Sequence, residues 1–310
     1  MIMPNVLWVS AGAVGAYFGG RLQQGGASVA VAVRSDYEAV KANGFRISAA
    51  AGEFTFSPDG VYSSVAEYPG TPDYVIVSSK VLPWISVPEL IRPAIKSKET
   101  VIVLIQNGIG IEDAVSEAFP ENEVLSTVAY IGATRTGKGV VTQTGSQRLV
   151  MGKFGGGDSA KGRALIELFK AGKVDAEFTE NVAYFRWKKL LWNTPFNTIS
   201  VLGGDLDTKQ MCDRGQIENL CMELMRETAA VAASEGHIFT EEDLTGNMEY
   251  TRNFPAYKTS MLVDYMAGRP LEVDAILGNV CAIAAKNGVK VPHLDTCYAL
   301  LQSVSPKGNQ

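Results

Sequence analysis

Val6-Leu7-Trp8-Val9-Ser10-Ala11-Gly12-Ala13-Val14-Gly15-Ala16-Tyr17-Phe18-Gly19-Gly20-Arg21-Leu22 decides the reading of the first half of the chain. A short apolar strand runs into a glycine-containing turn that opens a helix, an order that brings backbone N–H groups and a helix N-terminus up to a pyrophosphate. Gly12 would let the backbone approach phosphates, and Gly15 would let helix pack on strand. Ser10 stands where the G-x-G-x-x-G pattern has its first glycine, so the turn must tolerate a Cβ or adjust its dihedrals. The competing reading is a tight strand-to-helix turn without a ligand. Ser28–Val33 reads as a second strand at the distance that closes a βαβ unit, which makes Ser10, Ala11, Gly12, Ala13, Val14 and Gly15 candidates for cofactor contact.

Arg34 follows that second strand, where an NAD-binding domain usually carries an acid for the ribose 2′-hydroxyl. A guanidinium there can pair with a 2′-phosphate, which favours NADP, the alternative being a solvated surface arginine. Asp36 competes as a ribose acceptor, but Ser35-Asp36-Tyr37-Glu38 has capping-box spacing and predicts Asp36 in the first turn of the next helix.

The alternation continues. Asp73–Ser79 and Thr100–Ile105 are apolar runs suited to buried parallel strands with a helical pattern between them. Lys80 follows the first and Gln106-Asn107-Gly108 the second; at the carboxyl ends of strands, Lys80 and Asn107 are candidates for cofactor or substrate contact as well as ordinary loop residues. Val124–Ile131, Gly139–Thr144 and Gln147–Gly152 read as three closely spaced strands extending the sheet antiparallel. A helix near Arg163–Ala171 and a strand near Val174–Phe178 complete a first domain, 1–178.

From Val182 only helical patterns remain, giving a second domain over 179–303 and a frayed tail at 304–310. The stretch Trp187-Lys188-Lys189-Leu190-Leu191-Trp192-Asn193-Thr194-Pro195-Phe196-Asn197 sits at this change of architecture. On a helix Lys189, Asn193 and Asn197 share one face, whereas Lys188 is turned about 100° away. Pro195 removes one backbone donor and predicts a kink. Ile217, Leu220, Cys221, Leu224, Met225, Thr228 and Val231 form a buried stripe on a long helix. Tyr257–Ala267 and Leu271–Lys286 predict two further helices, Gly288 stopping the second. Ser260, Asp264 and Glu272 are their polar residues of interest; Glu272 in a first helical turn also has a plain dipole explanation. His237 and His293 stand alone and read as structural.

At 310 residues, 46% hydrophobic and 20% charged, the chain is long enough for two well-packed domains. A net charge of −5 argues against nucleic-acid and anionic-membrane partners, and no run of about 18 apolar residues offers a transmembrane span. The N-terminus lacks a signal peptide's basic region. Cys212, Cys221, Cys281 and Cys297 have no CxxC spacing, which fits buried thiols in a reduced, cytoplasmic protein better than disulfides or a metal site.

Several of these stretches together resemble the ketopantoate reductases (2-dehydropantoate 2-reductases): AGAVG at Ala11–Gly15, Arg34, QNG at Gln106–Gly108, the spaced Lys189, Asn193 and Asn197, and Ser260-Met261-Leu262-x-Asp264 with Glu272 beyond. The resemblance covers nearly the whole chain. It implies an α/β, Rossmann-type NADPH-binding domain followed by an all-helical domain of the 6-phosphogluconate dehydrogenase type, with a 2-oxo acid bound between them. Carried over by position, it implies Lys189 as catalytic general acid, with Glu272 as its catalytic partner accepting a substrate hydroxyl. Asn193, Asn197 and Ser260 are implied as substrate-binding, and Lys80 and Asn107 as neighbours of the nicotinamide. Three readings remain open: reduction of 2-dehydropantoate by NADPH, reduction of another 2-oxo acid or ketone on the same fold, and a non-catalytic NADP(H)-binding sensor. The helical domain is compatible with a monomer or a homodimer.

Overall fold

The computed structural model describes residues 3–305. The first unit runs to Ala183, apart from the two short segments Val81–Pro83 and Asn107–Gly110, which group with the second unit from Tyr184 onward.

In the first unit β1 (Asn5–Val9), α1 (Ala13–Gln24) and β2 (Ser28–Ala32) form the expected βαβ unit, with β1 and β2 parallel and in register Leu7↔Ala30. They are followed by α2 (Tyr37–Asn43), β3 (Phe45–Ala49), β4 (Gly52–Phe56), β5 (Gly60–Tyr62), β6 (Tyr74–Val77), α3 (Val87–Ile91), β7 (Val101–Leu104), α4 (Asp113–Ala118), β8 (Val124–Gly137), β9 (Val140–Lys153), α5 (Ala160–Ala171) and β10 (Asp175–Phe178). The sheet order is β4-β3-β9-β8-β7-β6-β1-β2-β5, with β10 on the other part of β9. From β5 through β8 every pairing is parallel. After β2 the chain forms β3 and β4 beside β9, returns to add β5 outside β2, and then crosses to the other side of β1 for β6. The strand order therefore reverses between β1 and β6, the place where open α/β sheets bind ligands.

Strands β6 and β7 are buried along their whole length, because helices cover both faces. Alternate residues divide between two cores. Val6, Trp8, Ile76 and Val103 pack with Phe18, Leu22 and Phe169 of α1 and α5, whereas Leu7, Val9, Val75 and Leu104 pack with Ile91 and Val115 of α3 and α4. Each such fully buried aliphatic side chain contributes roughly 1.5–3 kcal/mol.

Three details of this unit differ from the sequence expectations. Gly139–Thr144 and Gln147–Gly152 are one strand, β9, because Gly145, at φ +68°, makes a register shift against β8 between Ile131 and Gly132 rather than a reversing turn. The β3–β4 hairpin was not anticipated; it lies on the far edge of β9, with β3 parallel to it. Asp36 precedes α2 without capping it through its side chain, so the expected capping box does not form.

The second unit is all helical: α6 (Val182–Leu202), α7 (Thr208–Cys212), α8 (Gly215–Ser234), α9 (Glu241–Asn253), α10 (Ser260–Met266), α11 (Asn279–Asn287) and α12 (Pro292–Val304). The first residues of α6 still belong to the first unit. The stripe on α8 is core, with Cys221, Leu224, Met225 and Val231 packed among Leu190, Leu191, Phe196, Leu277 and Leu294. Helix α6 runs unbroken through Pro195. Helix α10 starts three residues later than expected, where the Thr259 side chain caps it by accepting from Leu262 N at 3.2 Å. Gly288 ends α11 in the left-handed conformation. Ahead of α11 the chain forms a π-helical turn, Asp274–Gly278, and Glu272 lies just before it rather than in a first α-helical turn. Of the tail expected at 304–310, the part from 306 on lies outside the described residues. No helix among the described residues is long and apolar enough to cross a membrane.

Helices α1 and α5 meet by a reciprocal contact of their capping glycines. Gly25 N donates to Arg21 O at 3.0 Å and Gly172 N to Leu168 O at 3.0 Å. A Cβ on Gly25 would fall 1.9 Å from Leu168 O, and one on Gly172 would fall 1.9 Å from Arg21 O. Backbone cannot yield there without parting the helices, so Gly25→Ala and Gly172→Ala should each destabilise the protein by about 3 kcal/mol. Urea unfolding of the two variants measures this, and a loss below about 1 kcal/mol would mean that the helices part freely.

Candidate active site

The turn after β1 is built on two close fits. Ser10 adopts φ +60°, a left-handed conformation that costs a non-glycine residue on the order of 1 kcal/mol. It is held by Ser10 N donating to Ala32 O at 2.9 Å, Gly12 N donating to Ser10 O at 2.7 Å and Ser78 Oγ donating to Ser10 O at 3.2 Å. The turn thus adjusts its dihedrals while keeping the serine. Trp8 Nε1 donates to Ser78 Oγ at 2.8 Å, and both groups press on Gly15, whose Cβ would lie 2.6 Å from Trp8 Nε1 and 2.7 Å from Ser78 Oγ. Gly15 is therefore required by helix–sheet packing.

Gly12 differs. It is exposed, and a Cβ there would meet no protein atom within 4 Å. The fold itself does not demand glycine at this point; a ligand approaching the backbone would. Helix α1 starts here with no side-chain cap and no acidic residue in its first turn, so its N-terminal N–H groups suit an anion. Ala11 is buried, Ala13 and Val14 half-buried. Arg34 is exposed just after β2, and Lys80 is half-buried after β6. Glycine at Gly12 and the uncapped α1 N-terminus fit the pyrophosphate of a dinucleotide, with the Arg34 guanidinium nearby in sequence after β2.

In the helical unit a second constellation forms around α6. Lys189 Nζ donates to Asn107 Oδ1 at 2.8 Å, and Asn107 Nδ2 lies 3.5 Å from Glu272 Oε2, a long contact. Glu272 Oε1 accepts from Val81 N at 3.0 Å. The structure thus brings Lys189, Asn107 and Glu272 together. Asn107 is held because its loop is fixed at three further points: Arg186 Nη1 donates to Gly108 O at 3.0 Å, Ile109 N to Ala275 O at 3.2 Å, and Asn279 Nδ2 to Ile109 O at 2.7 Å. The Ala275 carbonyl comes from the π-helical turn, whose wider winding presents it to the loop. Gly108 sits so close, at φ +102°, that a Cβ would lie 2.3 Å from that same oxygen.

Asn197, one turn beyond Asn193 on α6, forms a separate pair. Its Oδ1 accepts from Met261 N at 3.2 Å and from Ser260 Oγ at 3.4 Å, at the start of α10. Asn197 is 1% exposed and Asn193 5%, whereas Ser260 is exposed. Asn197 therefore fixes α10 and orients Ser260.

Burial pushes the Lys189 ammonium down to about 8; the Arg186 charge adds to that fall and the Glu272 carboxylate opposes it. Arg186, buried and one turn before Lys189, is the residue that sequence reading missed. Its signal was faint: an arginine at i−3 between Phe185 and Trp187, on a helix otherwise marked by Lys189. His293 is tied to Glu227, which also accepts from Leu294 N at 2.8 Å and so anchors the start of α12. The four cysteines are free thiols, three buried and Cys281 half-buried.

A doubly wound sheet bearing a glycine turn at its strand-order reversal, followed by an all-helical unit that presents a lysine of lowered pKa, defines a two-domain oxidoreductase. The profile described as "Ketopantoate reductase PanE/ApbA" matches residues 7–156, and its C-terminal counterpart matches 181–305. The chain belongs to the ketopantoate reductase family. It is 31% identical over 296 residues to 2-dehydropantoate 2-reductase of Nostoc sp., covering 94% of this chain and 92% of that one. The crystal structure of 2-dehydropantoate 2-reductase from Methylococcus capsulatus superposes with a TM-score of 0.91 at 41% identity, over 97% of this chain and 96% of the other. D-Mandelate dehydrogenase, solved with NADH and anilino(oxo)acetate, has a TM-score of 0.84 over 96% and 98% of the two chains, and at 22% identity shares the fold.

The opposed charges around Lys189 make its titration testable by the pH dependence of its modification with an amine reagent, read by mass spectrometry. The midpoint should lie near 8 in the wild type, rise in Arg186→Met and fall in Glu272→Gln. A wild-type midpoint near the ordinary value of about 10.4 would refute the desolvated environment.

Proposed function

We propose that the protein reduces 2-dehydropantoate to pantoate with NADPH, using Lys189 as the general acid. The observation that carries this reading is the Lys189 ammonium fixed at 2.8 Å on Asn107 Oδ1 in surroundings that lower its pKa to about 8. A nicotinamide held there would supply hydride to the substrate carbonyl carbon. Negative charge then builds on the carbonyl oxygen, and an ammonium hydrogen-bonded there stabilises it and supplies the proton. With a pKa near 8, Lys189 remains mostly protonated at pH 7, yet is a much stronger acid than an ordinary lysine.

Glu272 accepts a substrate hydroxyl in this reading, and its charge keeps Lys189 from losing its proton too early. Its hold on Val81 N supports a fixed carboxylate, which is what selection for a hydroxyl-bearing substrate requires. Asn193 and Ser260 supply donors for the 2-oxo carboxylate. Asn197, buried and engaged with Met261 N, acts through Ser260. The turn Ser10–Gly15 would hold the pyrophosphate and Arg34 the 2′-phosphate, and the family resemblance assigns Lys80 and Asn107 to the nicotinamide.

Loss of reduced-nicotinamide absorbance with 2-dehydropantoate, beside simple 2-oxo acids and beside NADH, tests the proposal. Turnover should be fastest with NADPH and 2-dehydropantoate, and Lys189→Ala should lower kcat by about 10²–10⁴-fold. Because the protonated lysine is the acid, kcat for reduction should fall as pH rises through about 8. A faster rate with another 2-oxo acid would reassign the substrate. Full activity in Lys189→Ala would remove the general-acid role.

A further inference from the structure

We infer that Arg135 is a specificity-determining residue for the cofactor: it neutralises Asp36, the acid that would otherwise oppose a 2′-phosphate, and adds a second guanidinium beside Arg34. The inference rests on the NADPH reading above and deepens it.

Asp36 stands two residues beyond Arg34, just past the end of β2, where a carboxylate reading a ribose diol would favour NAD and repel a phosphate. Its carboxylate is turned elsewhere. Arg135 Nη1 donates to Asp36 Oδ1 at 2.9 Å and to Ser35 Oγ at 2.8 Å, and Gly139 N approaches Asp36 Oδ2 at 3.3 Å. Both carboxylate oxygens are thus engaged by the 135–139 hairpin, and the Asp36 side chain is only 6% exposed.

This placement is built into the sheet. Arg135 lies at a register shift between Arg135 and Gly137 in the β8–β9 ladder, the kind of irregularity that re-aims a side chain. Gly139, at φ +65°, turns the hairpin so that its N–H meets Asp36. The Arg135 side chain stays 48% exposed, and Nη1 makes both contacts. The rest of the guanidinium fork can meet a phosphate from solvent, next to an exposed Arg34. A lysine would keep the charge but lose the fork.

The alternative is that the pair serves only to tie the hairpin to the start of α2. Calorimetric binding of NADP+ and NAD+ to the wild type, Arg135→Ala, Asp36→Asn and the double variant separates the two. Arg135→Ala should cut the NADP+/NAD+ affinity ratio by about tenfold or more, Asp36→Asn should leave it high, and the double variant should recover much of the loss. Arg135→Lys should keep most of the preference. Circular dichroism of each variant shows whether it is folded, and the ratio itself cancels a loss of folded protein. An unchanged ratio in Arg135→Ala, or no recovery in the double variant, overturns the inference while the cofactor reading stands. A wild type that binds both cofactors equally overturns that reading and the inference with it.

Discussion

The helical unit depends on keeping one ammonium where water is scarce. Lys189 is desolvated, which favours its neutral form, and in the proposed reaction it must still carry a proton to act as an acid. Asn107 Oδ1 meets that need by accepting from Nζ without contributing a full negative charge. The amide is useful only if it cannot swing away. Its loop is fixed by Arg186, by Asn279 and by the carbonyl that the π-helical turn offers to Ile109 N. A regular α-helix would return the Ala275 carbonyl to its own fourth neighbour; the wider turn gives it to the loop. Irregular winding in this helix is thus part of how the lysine is positioned.

The sheet solves a different problem, bringing helix α1 close enough to β1 that its N-terminus opens at the strand-order reversal. Trp8 fills the space under the helix, and Ser78 bridges Trp8 to the Ser10 carbonyl, so only a residue without a Cβ fits at position 15. The left-handed Ser10 follows from the same closeness: the chain must turn at once after Val9, and three hydrogen bonds offset the strain. Gly15 and Gly12 therefore belong to different constraints, the first internal to the fold and the second facing outward.

The parts legible in the sequence were those whose signal is local. Buried parallel strands such as Val101–Leu104 are continuous apolar runs, and the stripe on α8 repeats at helical steps. Lys189, Asn193 and Asn197 lie on one helix, as their spacing predicts. What was missed depends on partners far away in the chain. Arg186 gains its meaning from Gly108, 78 residues earlier, and Arg135 from Asp36, 99 residues earlier. Gly145 was misread because a left-handed glycine marks a bulge as readily as a turn, and only the partner strand decides between them. Asp36 shows the same ambiguity: the Ser35-to-Glu38 spacing is that of a capping box with Asp36 in the first turn, but Asp36 stands just before the helix and its carboxylate is taken by a guanidinium from β8.

Charge pairing at the two sites follows opposite logic. Around Lys189 the neighbours are of opposite sign and neither cancels it, so the acid strength is a balance that either neighbour can tip. At Asp36 the guanidinium lies at hydrogen-bond distance from a nearly buried carboxylate, and a buried charge so paired is removed from the surface field rather than tuned. A group that must exchange protons needs the first arrangement, because its two states must lie close in energy. A group that must be silent needs the second, because an unpaired carboxylate at the end of β2 would speak to whatever ribose or phosphate came near. At one site Asn107 accepts from Lys189 Nζ and its amide nitrogen lies near Glu272, so a neutral amide is part of the balance; at the other Arg135 donates straight to the Asp36 carboxylate.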